Sequence, residues 1–206
     1  MLQVYELIRQ CAQTDACVLI TGESGIGKEL AARTIHQMGS RASSAFVAIN
    51  GAAIPSELIE SELFGHEKGA FTGAGEARPG CFEQAHGGTL FLDEIAEISV
   101  RLQPKLLRVL EDGRVRRLGA RQEKQCDVRL LTATNRDPRK VVEEGKLRED
   151  LYYRIQVLIL EMPPLRERND DVQVLSLYFL DRFRVKHGSQ SKGFRDLSLD
   201  LLRAYA

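Results

Sequence analysis

The stretch from residue 17 to residue 29 constrains the fold of this chain more than any other. Five mostly apolar residues, Cys17 to Thr21, are typical of a short buried strand. The glycine-rich run Gly22-Glu-Ser-Gly-Ile-Gly-Lys28 follows, and an amphipathic helical pattern begins after it. Strand, G-x-x-x-x-G-K loop and helix in this order predict a phosphate-binding loop, because the glycines let backbone N–H groups converge at a helix N-terminus.

Within this loop, two side chains decide how phosphate and metal are held. Lys28 is expected to reach the β- and γ-phosphates. Glu29 stands where a Ser or Thr hydroxyl normally holds magnesium, so the metal needs a ligand from elsewhere in the chain. The alternative is an ordinary glycine-rich turn between a strand and a helix. The candidate nucleotide-binding residues are Gly22, Glu23, Ser24, Gly25, Ile26, Gly27, Lys28 and Glu29.

A second motif, Gly87-Gly-Thr-Leu-Phe-Leu-Asp-Glu94, is an apolar strand that ends in two carboxylates. In phosphate-loop ATPases this arrangement places the first acid beside Mg²⁺ and the second beside the attacking water. Asp93 would therefore supply the metal with the ligand that Glu29 does not, and Glu94 would act on the water. The alternative is an exposed strand end that happens to carry two acids.

Strand and helix patterns alternate along the chain as far as residue 163. Apolar runs at 46–50 and 128–134 are typical of further buried strands, and helical spacing recurs between the strands. This alternation predicts an α/β fold with a parallel sheet flanked by helices. Pro163-Pro164 ends the region, and only helical patterns follow. We expect an α/β nucleotide-binding core over residues 1–163 and the beginning of a helical lid over residues 164–206.

The composition of the chain limits the partners that it can hold by charge alone. The chain has 29 Lys and Arg residues and 29 Asp and Glu residues, so its net charge is zero. This argues against nonspecific electrostatic binding to nucleic acid or to a membrane surface. No apolar run is as long as a membrane span, and the N-terminus has no secretory signal pattern. Four scattered cysteines form no C-x-x-C pair, which favours structural thiols in a reducing cytoplasm over a zinc site.

Two other stretches have compositions unsuited to a core layer. Residues 64–80 contain five glycines around the pair Phe71-Thr72, which predicts a mobile loop with one aromatic tip. A structured turn that buries Phe71 is the alternative. Residues 114–127 form a charged stretch, which is more often a solvated excursion than a binding face.

Together these motifs resemble the central domain of bacterial enhancer-binding proteins, which are AAA+ ATPases that activate sigma-54 RNA polymerase. The resemblance covers essentially the whole chain. Its most specific string is Gly69-Ala-Phe-Thr-Gly-Ala74, which among AAA+ proteins is characteristic of this family. The other matching strings are Gly22 to Glu29, Glu62 to Gly69, Gly87 to Ile95 and Pro163-Pro-Leu-Arg-Glu-Arg168.

The resemblance implies an AAA+ P-loop NTPase core that binds ATP and Mg²⁺. Lys28 would hold the phosphates, Asp93 the metal and Glu94 the catalytic water. Asn50 resembles the residue that pairs with the catalytic glutamate and links hydrolysis to movement. Thr134 and Asn135 match the sensor I position, which reads the γ-phosphate.

The resemblance also implies two kinds of protein partner. Arg148 and Arg154 resemble the arginine fingers that a neighbouring subunit inserts into the site, so the active form would be a ring, usually a hexamer. Phe71 and Thr72 would touch sigma-54, with the loop from Arg114 to Lys124 assisting. The candidate partner-binding residues are Gly69, Ala70, Phe71, Thr72, Gly73 and Ala74.

Compared with the family, the chain is expected to lack the segment that helps to enclose adenine and the later helix that supplies the sensor II arginine. The leading interpretation is an Mg-ATP hydrolase that remodels the sigma-54 holoenzyme. The alternative is a module that binds nucleotide or sigma-54 without efficient turnover. A third class, a DNA-binding regulator, needs a recognition helix and a basic face that this sequence does not show, so no direct DNA binding is expected.

Overall fold

The computed structural model describes residues 2–188 and 193–205. Its strands are β1 (Val18–Thr21), β2 (Phe46–Asn50), β3 (Gly65–His66), β4 (Arg78–Pro79), β5 (Thr89–Asp93), β6 (Arg114–Val115), β7 (Lys124–Gln125), β8 (Arg129–Thr134) and β9 (Leu158–Glu161). Its α-helices are α1 (Leu2–Ala12), α2 (Lys28–Met38), α3 (Ile59–Phe64), α4 (Cys81–Gln84), α5 (Gln103–Asp112), α6 (Pro138–Glu143), α7 (Glu149–Ile155), α8 (Asn169–His187) and α9 (Asp196–Tyr205). Two short 3-10 helices span Ile95–Glu97 and Leu165–Glu167. Among the described residues, no helix is long and apolar enough to cross a membrane.

Five strands form one parallel sheet in the order β2-β5-β8-β1-β9. Thr21 of β1 lies opposite Thr134 of β8 and Glu161 of β9, and Asn50 of β2 lies opposite Asp93 of β5. These registers bring the carboxyl ends of the strands to one edge, where sheets of this kind bind ligands. The structure confirms the predicted α/β fold with a parallel sheet flanked by helices.

The sheet is buried on both faces by two separate hydrophobic clusters. Leu90 and Leu92 of β5 face a cluster that includes side chains of α3, α5 and α7. Phe91, between them, faces a second cluster that includes side chains of α1 and α2. A strand that is covered on both sides needs apolar side chains at consecutive positions, which explains why these strands appear in the sequence as apolar runs.

The chain divides into two compact units. Residues Gln3–Met162 form one unit, and residues from Pro163 onward, together with the first two residues, form the other. For the second unit, the sequence predicts a helix from about Val172 and a last helix capped by Ser198. In the structure α8 begins at Asn169, and Ser198 lies inside α9. That this unit is the beginning of a lid stays a prediction.

The sequence favours Ser56 as the cap of the helix after β2, but α3 does not begin there. The carbonyl oxygen of Pro55 accepts hydrogen bonds from the N–H groups of Leu58, at 2.9 Å, and Ile59, at 3.1 Å. A turn therefore occupies the residues before the helix, and regular α-helix begins only at Ile59.

Both stretches that were expected to be loops contain short antiparallel strand pairs, β3 with β4 and β6 with β7. Leu118 connects them, because its N–H donates to the carbonyl of Gly65 at 2.9 Å and its carbonyl accepts from the N–H of Glu67 at 3.0 Å. Arg117 donates to Glu83 Oε2 at 2.7 Å and is largely buried. Most of residues 114–127 are solvent-exposed, as expected, but backbone pairing and an ion pair fix this stretch to the core.

Gly88, just before β5, is a position where we expect any side chain to destabilise the fold. A Cβ atom there would lie 2.1 Å from the carbonyl oxygen of Ala45, which accepts a hydrogen bond from Thr89 N–H. Gly88→Ala is expected to lower the free energy of unfolding by about 3 kcal/mol or more, measured by chemical denaturation. Gly75→Ala is the control, because a Cβ at Gly75 meets no atom within 4 Å. Equal denaturation midpoints for the two variants would contradict this prediction.

Candidate functional site

The loop between β1 and α2 depends on glycine at two positions. Gly22 has a φ of 148°, and a Cβ atom there would lie 2.8 Å from the carbonyl oxygen of Met162. Gly27, with a φ of 103°, immediately precedes α2. Because glycine adopts these conformations without steric penalty, the chain can turn sharply from the strand onto the N-terminus of an eleven-residue helix. This geometry favours phosphate binding.

Lys28, the first residue of α2, has its ammonium group inside the loop. Its Nζ donates to the carbonyl oxygens of Gly22 at 2.9 Å and Glu23 at 3.1 Å. Its Nζ also lies 3.6 Å from Glu94 Oε1, and the side chain is only 6% exposed. A cation is thus fixed between the glycine loop and the end of β5.

The two acids at the end of β5 have different partners. Glu94 contacts Lys28 through Oε1, and its Oε2 accepts a hydrogen bond from the backbone N–H of Asn135 at 3.1 Å. Asp93 accepts from Asn50 Nδ2 through Oδ2 at 3.1 Å and from the N–H of Glu94 through Oδ1 at 3.1 Å. The structure therefore brings Lys28, Asp93, Glu94, Asn50 and Asn135 together at one edge of the sheet.

The backbone of Glu94 is unusual. Its φ of 53° and ψ of 54° are left-handed, and it is the one non-glycine residue with positive φ in residues 2–188 and 193–205. Such conformations are unfavourable for residues with a Cβ atom, and they are concentrated at functional sites. The strain thus marks Glu94 as a functional candidate independently of any motif.

Asn50 does not have the partner that the resemblance implied. Its amide donates to Asp93, and its Oδ1 accepts from the backbone N–H groups of Ala52 at 2.9 Å and Ala53 at 3.2 Å. The physical reason lies in Glu94, whose left-handed backbone directs its carboxylate to Lys28 and Asn135 instead. Asn50 therefore closes the turn after β2 and holds Asp93.

The residues predicted to act as sensor I lie at the end of β8. Thr134 is buried, and its Oγ1 accepts from the backbone N–H of Arg136 at 3.1 Å, so this side chain shapes the turn. Asn135 is exposed and lines a cleft of about 540 Å³ together with Gly22, Glu23 and Tyr152. Of the two, Asn135 is the residue with a side chain available to a ligand.

The donor set fits a magnesium ion that binds together with a nucleotide. In the described part of the chain, no group of three or more His, Cys, Asp or Glu side chains could hold a metal ion. Glu29 pairs with Arg33 at 2.8 Å on the exposed side of α2, whereas Glu94 lies beside Lys28 and Asp93 directly precedes Glu94. Magnesium is usually bound by one or two carboxylates with substrate phosphates and waters, which is the set that this site could offer.

The two predicted fingers, Arg148 and Arg154, are exposed at opposite ends of α7. Arg148 pairs with Asp150 at 2.7 Å, and this hydrogen bond raises the pKa of Arg148 and lowers the pKa of Asp150. Arg154 donates to the carbonyl oxygen of Leu110 at 2.6 Å. The structure does not bring either arginine to Lys28 of the same chain, among the hydrogen bonds and ion pairs of the described residues.

Sequence reasoning missed Gln103, the first residue of α5. It is fully buried, donates to the carbonyl oxygens of Ile98 at 3.0 Å and Lys146 at 2.8 Å, and accepts from the N–H of Arg148 at 2.8 Å. A glutamine at a helix start is usually a surface residue, so only the tertiary structure identifies this one.

The predicted partner-binding residues form a compact turn. The N–H of Gly69 donates to the carbonyl of Ala74 at 2.8 Å, and the N–H of Ala74 donates to the carbonyl of Phe71 at 3.0 Å. The Phe71 ring meets the His66 ring edge-on at 5.0 Å between centroids, so the expectation that it has nothing to pack against is wrong. Phe71 is nevertheless 38% exposed, so it does not belong to the core either, and Thr72 beside it is exposed.

A glycine loop between a strand and a helix, with an Asp-Glu pair at the end of a parallel strand that one further strand separates from the loop strand, defines the class of P-loop NTPases. The P-loop NTPase domain of the Sigma-54 transport activator from E. coli shares this fold, with a TM-score of 0.55 and 20% identity over 79% of this chain and 94% of that chain. The profile of the family described as "Sigma-54 interaction domain" matches residues 1–161. The chain belongs to this family, the AAA+ domains of bacterial enhancer-binding proteins.

Two longer proteins illustrate the relationship. The DNA-binding transcriptional regulator NtrC of Proteus hauseri is 48% identical over 205 residues, which cover 100% of this chain and 43% of that protein. A crystal structure of NtrX from Brucella abortus in complex with ATP has a TM-score of 0.91 and 36% identity, covering 99% of this chain and 44% of that chain. The chain thus spans less than half the length of these relatives.

Proposed function

We propose that this chain hydrolyses Mg-ATP and uses the energy to remodel the sigma-54 RNA polymerase holoenzyme, so that transcription can start. The observation that carries this proposal is the convergence of Lys28, Asp93 and Glu94 at the end of the glycine loop. Membership of the sigma-54 interaction family supports the partner, and the ATP complex of NtrX supports the nucleotide.

In this proposal each side chain has a separate task. Lys28 neutralises charge on the β- and γ-phosphates, and Asp93, held by Asn50, is the carboxylate that ligates magnesium. When bound, the metal neutralises charge that develops on the transferred phosphoryl group. Glu94, oriented by the N–H of Asn135, positions the attacking water and accepts its proton as the terminal phosphate bond breaks.

We also propose that the active form is a ring in which Arg148 and Arg154 act on the nucleotide of the next subunit. Both arginines are exposed, and their hydrogen bonds to Asp150 and to the carbonyl of Leu110 leave them at the surface, which is what action on a neighbour requires. By the same proposal, residues 1–163 are the nucleotide-binding core and residues 164–206 begin the lid.

The experiment that tests this function is phosphate release from Mg-ATP, measured as a rate per subunit over a range of protein concentrations. A rate that rises cooperatively with concentration supports a hydrolase that works as an assembly. A flat background rate would favour a module that only binds nucleotide or sigma-54. Chelation of magnesium should abolish the rising component, because Lys28 alone cannot neutralise the phosphate charge.

We expect Phe71→Ala and Thr72→Ala to lose sigma-54 capture while ATP turnover stays nearly unchanged. Phe71 presents an exposed ring supported by His66, and removal of an anchoring aromatic side chain typically costs about 2 kcal/mol, or roughly 30-fold in affinity. Capture is measured with a transition-state mimic of the γ-phosphate bound, beside a turnover assay.

The control for this prediction is Phe194→Ala, because Phe194 has almost the same exposure, 36%, and lies in the other compact unit. It should capture sigma-54 as the unmodified chain does. If Phe71→Ala unfolds the domain, or if it captures sigma-54 normally, residues 69–74 are not the contact surface.

A further inference from the structure

Gln103 makes a set of contacts that helix α5 itself does not need. Within the described part of the chain, its side chain has three hydrogen bonds, all to backbone groups outside the helix. Two of them reach Lys146 and Arg148, which are 43 and 45 positions away in the sequence. The first turn of α5 is closed without it, because the N–H groups of Lys105 and Leu106 both donate to the carbonyl of Leu102. The Gln103 side chain therefore links the backbone at Ile98 to the backbone at Lys146 and Arg148 and does not stabilise the start of α5.

Those segments lead to two parts of the proposed mechanism. Ile98 directly follows the 3-10 helix that begins after Glu94, so it lies at the exit from the hydrolysis site. On the other side, the Gln103 amide donates to the carbonyl of Lys146 and accepts from the N–H of Arg148. These two hydrogen bonds fix the backbone just before α7 begins. One buried amide thus connects the Glu94 segment to the backbone of a predicted finger.

Helix α5 supports the second predicted finger as well. The carbonyl oxygen of Leu110, in its last turn, accepts the hydrogen bond from Arg154. The two arginines are therefore positioned from the two ends of the same ten-residue helix.

We propose that Gln103 is a positioning residue that sets Arg148 for the active site of the neighbouring subunit, and that it couples this finger to the Glu94 segment of its own chain. The inference rests on the proposed function, because it takes Arg148 to act on a neighbour. Gln103 itself touches no reacting atom. Gln103 affects the rate through the position of the Arg148 guanidinium. A misplacement of about 1 Å can reduce a rate by about 100-fold.

The test uses mixed rings with two kinds of subunit. Arg148→Ala chains keep an intact site but lack the finger, and Lys28→Ala chains lack a working site but can donate the finger. Mixing them should restore turnover. Adding Gln103→Met, an apolar residue of similar shape, to the Lys28→Ala chain should then lower the restored rate by about 10- to 100-fold. Adding Gln103→Met to the Arg148→Ala chain instead should leave most of the restored rate.

This asymmetry separates positioning from general structural damage. If Gln103→Met lowers the restored rate equally in either chain, or in neither, the inference is overturned. Gln103→Glu places a buried carboxylate oxygen against the carbonyl oxygens of Ile98 and Lys146, so it should donate the finger no better than Gln103→Met does. If Gln103→Met does not fold, Gln103→Asn, whose shorter amide cannot span the same three groups, should show the same asymmetry.

Two controls complete the design. Gln84→Met removes an exposed glutamine with a single hydrogen bond, to the carbonyl of Pro79 at 3.1 Å, and should change nothing in either chain. Formation of mixed rings is checked by native mass spectrometry. If mixed rings form but the Arg148→Ala and Lys28→Ala pair restores nothing, action in trans fails and this inference falls with it. If the pair restores turnover and the asymmetry is missing, only the role of Gln103 is overturned.

Discussion

Lys28→Ala is expected to abolish ATP binding, whereas Glu94→Gln is expected to bind Mg-ATP and hydrolyse it about 10²- to 10⁴-fold more slowly. Lys28 is the cation inside the glycine loop, so its removal leaves the phosphate charge without a partner. Glu94→Gln removes the proton acceptor but keeps Asp93 for the metal. Binding to Glu94→Gln should be at least as tight as normal, because a negative charge 3.6 Å from Lys28 is removed.

The measurements are titration with a fluorescent ATP analogue and phosphate release. Glu97→Gln is the matched control, since Glu97 is an exposed acid three residues further on whose partner is Arg136, at 3.7 Å. Glu97→Gln should bind and hydrolyse ATP normally.

If Lys28→Ala and Glu94→Gln lose ATP binding equally, the separate roles proposed for Lys28 in charge neutralisation and for Glu94 in water activation are wrong.

Arg154→Ala should reduce turnover by about 10³- to 10⁵-fold, the range in which arginine fingers act, and Lys28→Ala subunits should restore part of it. Among the described residues, the Arg154 side chain donates to the carbonyl of Leu110, and Arg154 is exposed. It can therefore turn to a charge that develops on the phosphoryl group of a neighbouring subunit.

A structural role for Arg154 gives a different outcome. Loss of the contact with Leu110 would lower the free energy of unfolding, and added Lys28→Ala subunits would not repair it. Arg9→Ala serves as the control, because Arg9 is also exposed and its partner, Glu6, lies 3.9 Å away. No restoration at any ratio, in rings shown to be mixed, would rule out action in trans.

The central sheet could be predicted because its signals are local. Strand β2 has the predicted bounds, Phe46–Asn50, because its short apolar run is itself a strand signal, although this edge strand is only partly buried. The glycine loop was equally clear, because Gly22 and Gly27 occupy conformations that other residues avoid. Local signals were sufficient for the strands and for the glycine loop, but not for every helix start, because Ser56 does not cap α3.

Features that depend on distant partners could not be predicted in this way. The pairing of Asn50 with Asp93 joins residues 43 positions apart, and it depends on the backbone of Glu94. The strand pair β6 and β7 is fixed by Leu118 and by the ion pair of Arg117 with Glu83, none of which shows in the charge pattern of residues 114–127. Such contacts arise only when the chain has folded.

The left-handed backbone of Glu94 implies a conflict between stability and activity at this position. Holding a residue with a Cβ atom in this conformation costs about 1–2 kcal/mol, and glycine would adopt it freely. The side chain offsets part of that penalty through Lys28 and the N–H of Asn135. A chain selected for thermal stability alone would therefore be expected to carry glycine at position 94. Under the proposed function, the glutamate is retained because its carboxylate acts on the attacking water, which glycine cannot do.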